Sequence, residues 1–248
     1  MKTIIRQCGW ETMRTLRNRQ FVIFSLVMPV VFYFILTNTI GATFLASGMS
    51  SKVYFLVSMA AFSAVSSCLF GLSGRLSFER NQGWLRLVRT TPMRNYIYIF
   101  SKILGQLMVG ATSTLVLFLI GAFFEGAQLS LGTWVFIWIS MTFGAIPFIS
   151  LGILLGIILN SDTVNIAVNI LNILLTILGG MWWPLKMMPK VIQHIGYWLP
   201  TNRYAQISWD ISTGKSIRFL DIAVLLGYTV VFILVVLLIL RRQEERYN

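Results

Sequence analysis

The chain has 248 residues, 56% of them hydrophobic and 11% charged, with a formal net charge of +12. Soluble domains carry roughly 25% charged residues, so a mean hydropathy of +0.77 marks a polytopic membrane protein, with room for about six spans of roughly 20 residues and little left for a soluble domain. The positive charge does not point to nucleic acid: the basic residues sit beside apolar runs, as positive-inside topology requires, and no basic stripe with interleaved stacking aromatics remains.

Residues 1–20 carry Lys2, Arg6, Arg14, Arg17 and Arg19 against Glu11. On a helix, Ile4, Ile5, Cys8, Met13 and Leu16 share one arc, and Arg6, Arg14, Arg17 and Glu11 another. That is the pattern of an amphipathic helix lying on an anionic membrane surface. A cleaved signal is the competing reading, but no charge occurs from Phe21 to Ser51, which outruns the roughly 7–15-residue apolar core of a signal. The first span is therefore placed at 21–40, with a kink at Pro29. The second, at 53–74, is rich in Ser, Ala and Gly. Small residues let helix backbones approach closely, within one chain or across a dimer, and both options stay open here.

Residues 75–95 read as a coupling segment. On a helical wheel from Glu79, Trp84, Leu85, Leu87 and Val88 share one face; Glu79, Gln82, Gly83, Arg86, Arg89 and Thr90 share the other. Pro92 stops the helix, because it has no N–H to donate and pushes Thr91 out of helical geometry. An amphipathic helix on the cytoplasmic surface, fed directly into the next span, can pass force between a soluble partner and the spans on either side. The third span follows at 96–124, with Lys102 placed to snorkel to the cytoplasmic surface.

The fourth span lies within 132–159. Residues 126–161 are uncharged, and at about 1.5 Å of rise per residue such a helix overruns a hydrocarbon core of about 30 Å. It must tilt, break or begin outside, and Gly144 and Pro147 mark the break. Gly152 and Gly156 form a small-residue packing motif. After a turn at Asn160-Ser-Asp-Thr, the fifth span is placed at 164–183. Asn165, Asn169, Asn172 and Thr176 fall on one face of it. Amides in hydrocarbon need partners, so this stripe faces protein or water: interhelical hydrogen bonds, or a polar wall on a translocation path.

The interval 184–220 has three prolines, several aromatics and mixed charge, which predicts two short helices at the outer interface. His194 has no ligand-forming neighbour at metal-site spacing and reads as an interfacial polar residue. Gly214-Lys215-Ser216 looks like the end of a phosphate loop, but that pattern needs Gly where Trp209 stands, and ATP would be on the other side. Cys8 and Cys68 suit neither a disulfide nor a metal site. The sixth span is 222–240. Five Lys and Arg fall in 1–20, six in 75–102 and three in 241–246, against Lys52 and five in 184–220. That bias puts both termini in the cytoplasm. The fold class is an all-α membrane protein of six spans, with the N-terminal interfacial helix, a cytoplasmic coupling helix between spans 2 and 3, and short outer re-entrant helices between spans 5 and 6, residues 1–248 forming a single transmembrane domain.

The run Glu79-Arg80, Gly83, Leu85, Leu87, Thr91-Pro92, Tyr96 and Lys102 resembles the E-R-x-x-G-x-L…T-P…K signature of the ABC-2 family of ABC-transporter membrane subunits. Gly179-Gly180-Met-Trp-Trp-Pro184, followed by Pro189, Pro200 and Gly214, resembles that family's second landmark, where the fifth span gives way to short outer helices. The likeness covers essentially the whole chain and matches the compact bacterial type. It implies two membrane subunits, identical or related, paired with two cytoplasmic ATPase subunits, in a bacterial plasma membrane. It further implies that Glu79, Arg80, Gly83, Trp84, Leu85 and Leu87 sit in the ATPase cleft and that Thr91 and Pro92 fix the turn into the third span. The second and fifth spans would then line the path between protomers, giving Asn165, Asn169, Asn172 and Thr176 a role there. Trp84 and Arg86 depart from the smaller or acidic residues that the pattern leads one to expect.

With no phosphate loop, acid/base pair or nucleophile–His arrangement in the sequence, the chain is expected not to be an enzyme and to hold no cofactor; ATP and Mg belong to the partner. The expected function is the permease of an ATP-driven exporter, with an amphiphilic substrate such as a drug, antimicrobial peptide, lipid or glycolipid. An intramembrane enzyme would need convergent ionisable groups within the spans. A channel, or a membrane scaffold for a sensor, is the remaining alternative.

Overall fold

The computed structural model of the chain describes residues 23–40, 49–82, 95–124 and 129–245, and all its regular elements are helical. A π-helical turn, Ile23–Val27, leads into α1 (Met28–Ile40), followed by α2 (Ser51–Asn81), α3 (Asn95–Phe124), α4 (Leu131–Gly144), α5 (Ile146–Ile158) and α6 (Ser161–Leu178). A 3-10 turn (Leu185–Met187), α7 (Lys190–Trp198), α8 (Pro200–Ser212) and α9 (Phe219–Glu245) complete the order. The expected surface helix at 1–20 lies outside the described residues, as do Gly83, Trp84, Leu85, Leu87, Thr91 and Pro92 of the coupling segment.

Among the described residues, five stretches are long and apolar enough to cross a bilayer: Ser51–Asn81, Lys102–Phe123, Leu131–Ile158, Ser161–Leu178 and Phe219–Ile239. The apolar stretch in the first segment, Ser25–Thr39, is shorter. Where a kink was expected at Pro29, the helix changes from π to α geometry between Val27 and Met28. Proline cannot donate to the carbonyl four residues back, and that carbonyl, Ser25 O, instead accepts the Ser63 hydroxyl of α2. The break expected near Gly144 and Pro147 also appears, with a turn at Ala145 separating α4 from α5. Ala145 N–H turns to Phe143 O, and Met141 O accepts the buried Tyr204 hydroxyl at 2.8 Å.

The core is built around α2, whose residues 53–73 are all buried. Its small side chains make this possible. A Cβ on Gly152 of α5 would lie 2.8 Å from Cys68 O, and one on Gly156 would lie 2.8 Å from Ser73 O. Two backbones can approach this closely only where a side chain is missing. The small-residue motif therefore packs within the chain. The second span, expected to line a path between protomers, is instead wrapped by α1, α3, α5, α6 and α8 of its own chain. Its serines do not strand polar atoms: Ser58 donates to Tyr54 O at 2.7 Å, Ser67 to Ala64 O at 2.9 Å and Ser77 to Leu159 O at 2.7 Å. The hydroxyls thereby meet the demand for internal partners in hydrocarbon.

Helices α6 and α9 are the opposite case, with only 22% and 17% of their apolar windows buried. Ile166, Ile170, Leu226, Val230, Leu234 and Leu238 stand exposed, each more than half open. Such apolar faces suit lipid or a second subunit. Between these helices in the chain, in the interval where short outer re-entrant helices were expected, stands α8. It is buried against α2, α4 and α9, and its first turn closes the end of α6: Thr201 Oγ1 donates to Leu175 O at 2.6 Å and Asn202 Nδ2 to Gly179 O at 3.0 Å. Gly179 lies past the helix end, where a carbonyl needs a partner from outside the helix, while Leu175 O also keeps the Gly179 N–H at 2.9 Å.

Candidate coupling site

The fold brings together three chain segments at one end of the bundle: the last turn of α2, the start of α3, and the Leu159–Ser161 turn between α5 and α6. Glu79 and Arg80, expected on a separate surface helix, belong to α2, which runs on without a break to Asn81. The apolar run simply continues helical through residues 75–81, since no Pro or Gly-rich turn interrupts it before Gly83.

Successive residues on a helix point about 100° apart, so Glu79 and Arg80 reach different neighbours. Glu79 Oε1 accepts a hydrogen bond from Lys102 Nζ of α3 at 2.7 Å, and Arg75 Nε, one turn earlier, lies 3.4 Å away. Lys102 is 5% exposed and Glu79 11% by side chain. Lys102, expected to snorkel to the surface, turns inward. A cation in a low-dielectric setting is held best by a carboxylate in direct contact, and Glu79 offers one.

Arg80 faces the other flank. Its Nη2 donates to Leu159 O at 2.8 Å and to Asn160 Oδ1 at 3.2 Å. Leu159 is the C-cap of α5 and Asn160 the N-cap of α6, so the guanidinium sits on a helix C-terminus, where a cation is favoured. Ser77 donates to the same Leu159 carbonyl, and Asn81 donates to the Ser161 hydroxyl. One turn of α2 thus ties α3 on one side and the α5–α6 turn on the other. Residues 83–94 begin immediately after it.

The amide stripe of α6 lies along α2. Asn172 Nδ2 donates to Ser66 Oγ at 3.0 Å, and Thr176 Oγ1 donates to Asn172 O at 2.7 Å; both residues are buried. Asn165 and Asn169 are half-buried, and Asn169 Nδ2 donates to Asn165 O at 3.0 Å. The four residues therefore share a face, as expected, and in this conformation the two deeper ones make hydrogen bonds within the chain.

At the opposite end of the bundle stands an ion network that the sequence pattern did not reveal. Arg203 Nη1 meets Asp221 Oδ1 at 2.7 Å, with the aspartate side chain fully buried, and Arg218 Nε lies 3.3 Å from Asp210 Oδ2 and 3.4 Å from Asp221 Oδ2. Arg203 also lies over the Trp198 ring at 5.7 Å. One signal was available: an aspartate opening a span as apolar as 222–240 needs a cation, and Arg218, Lys215 and Arg203 precede it within the same polar interval. Burial pushes the Tyr204 phenol well above its usual range, so it stays protonated as the donor to Met141 O. Among the described residues, no group of three or more His, Cys, Asp or Glu could hold a metal ion. His194, read as an interfacial polar residue, is exposed, with Nδ1 3.0 Å from Lys190 O.

A family model described as "ABC-2 family transporter protein" matches residues 39–241. The chain is 35% identical over 244 residues to "Putative transport permease YvfS" of Bacillus subtilis (strain 168), an alignment covering 98% of this chain and 99% of that one.

Proposed function

This chain belongs to the ABC-2 family of transporter proteins, and from that premise we infer that it is the membrane-spanning permease of an ATP-driven exporter. Two such permeases, identical or related, pair with two cytoplasmic ATPase subunits, which bind ATP and Mg. The chain lies in the bacterial plasma membrane with six spans, α1 being the first, and both termini in the cytoplasm. The cargo is an amphiphile: a drug, antimicrobial peptide, lipid or glycolipid.

The observation that carries this reading is the double grip of α2. Glu79 holds Lys102, and Arg80 holds Leu159 and Asn160, on the turn that leads into residues 83–94. A push on that segment reaches α3, α5 and α6 at once, because buried ion pairs and helix-end hydrogen bonds shift as units rather than stretch. Gly83, Trp84, Leu85 and Leu87 dock in the ATPase cleft, and Thr91 and Pro92 set the angle into α3. When α6 moves against α2, the Ser66–Asn172 hydrogen bonds open. Asn165, Asn169, Asn172 and Thr176 then turn to the path, where amides offer both donors and acceptors to a passing headgroup.

The test is co-expression and co-purification with candidate ABC ATPases from the same genome. Leu85→Asp combined with Leu87→Asp removes the apolar face of the segment without touching α2 or α3. The expected result is loss of the ATPase from the purified complex, with unchanged membrane insertion and unchanged Tm of the permease. Retention of a fully active, substrate-stimulated ATPase overturns the coupling role.

A further inference from the structure

At the end of the bundle away from Glu79, a pocket of about 760 Å³ opens between α8, the Pro184–Lys186 turn and the first turn of α2. One wall is Trp209, stacked on Tyr54 with ring centroids 4.8 Å apart and planes 15° apart. Trp209 is buried, and among the described residues its Nε1–H has no acceptor.

The charges around the pocket are lopsided. Lys186, Lys215 and Arg218 line it against one carboxylate, Asp210. That carboxylate is committed: Oδ1 accepts Gln206 Nε2 at 2.9 Å and Oδ2 accepts Arg218 Nε at 3.3 Å. Arg218 is held through Nε alone, and its two terminal nitrogens have no partner among the described residues. Lys215 is placed by the end of α8. Gly214, at φ 70°, donates to Ile211 O at 3.1 Å while Lys215 N–H donates to Asp210 O at 2.9 Å, which closes the helix and leaves the lysine side chain exposed. The Gly-Lys-Ser triplet that looks like part of a phosphate loop is thus a helix cap that delivers a lysine to this pocket.

We propose that the pocket binds the oxyanion headgroup of an amphiphile. A phosphate or carboxylate meets the two terminal nitrogens of Arg218, whose planar fork matches two oxygens of such a group. Lys215 adds a second cation, and the Trp209 ring forms the wall beside them. The apolar part beyond the headgroup lies against Tyr54 and Tyr197. The volume suits a headgroup with the start of its tail, in the size range of ordinary ligand sites. Recognition here needs neither nucleotide nor ATPase, so it stands or falls apart from the coupling mechanism.

The test uses the purified full-length permease in detergent, without nucleotide, titrated with dioleoylphosphatidylglycerol, with dioleoylphosphatidylcholine and with inorganic phosphate, and read as the shift in Tm. Phosphatidylglycerol is expected to raise Tm saturably, while the zwitterionic lipid and inorganic phosphate leave it nearly unchanged. Lys215→Gln is expected to raise the half-saturating concentration by about tenfold for the lost charged contact. Arg218→Lys keeps the charge near Asp210 but loses the fork, and is expected to weaken binding as Lys215→Gln does. Should Arg218→Lys lower the lipid-free Tm, Lys215→Gln decides alone, since that side chain makes no contact among the described residues. The proposal is overturned if the variants saturate at the wild-type concentration, if phosphatidylcholine matches phosphatidylglycerol, or if inorganic phosphate alone produces the whole shift.

Discussion

The two ends of the bundle are both tied by buried ion pairs, but in different ways. At the Glu79 end, one carboxylate faces Lys102 and Arg75, while Arg80 grips the α5–α6 turn. Positive charge is in excess, and the partners are 23 and 79 residues apart along the chain. At the other end, two carboxylates and two arginines form a closed network within residues 203–221. A short, balanced network holds α8 onto α9 as one piece. A long-range, cation-rich one joins helices far apart in the chain. The first suits a fixed cap; the second suits a joint that carries motion.

Substitutions can break or sharpen this contrast. The largest effect is expected at the cap. Asp221→Ala strands the buried Arg203 cation, and removing one partner of such a pair costs about 3–5 kcal/mol. It should appear as a large fall in Tm in detergent, partly restored when Arg203→Met is added. Lys102→Met at the joint should cost toward the lower end of that range, about 3 kcal/mol, because Arg75 remains 3.4 Å from Glu79. Its distinguishing readout is uncoupling: ATPase activity of the complex should lose its response to transported substrate by more than the stability loss explains. If Asp221→Ala uncouples equally, the two ends do not differ in role.

A smaller effect is expected from Gly152→Ala, which sets a Cβ against the Cys68 carbonyl and overpacks the α2–α5 contact by about 1–3 kcal/mol. Both ends should feel it alike, since α2 spans them. The smallest is Ser66→Ala, which removes one interhelical hydrogen-bond partner of Asn172 at about 1 kcal/mol or less. If the α6 stripe opens during transport, Ser66→Ala should raise basal ATPase activity with little change in Tm. An unchanged basal rate would count against that opening.

Much of this was legible in the residues. Apolar run lengths located the long helices, Gly144 and Pro147 marked the division between α4 and α5, and Pro29 marked the irregular start of α1. These are local matters: a proline lacks its N–H whatever surrounds it. The signature around Glu79 also pointed to the right family, although the helix boundary fell later than the wheel suggested. Gly83 stands where the described helix has already ended, and the apolar residues after it set the amphipathic pattern that made Glu79 look exposed.

What local pattern could not supply was the pairing. Composition makes the chain a membrane protein with several helices and puts small residues in the second span, because transfer free energy and backbone approach depend on residue type alone. That Gly152 and Gly156 meet Cys68 and Ser73, that Glu79 takes Lys102, and that Asp221 takes Arg203 was decided by the tertiary structure. A buried charge or amide must find a partner somewhere. Which one it finds depends on what the folded helices bring within about 3 Å, a distance that residue spacing along the chain does not encode.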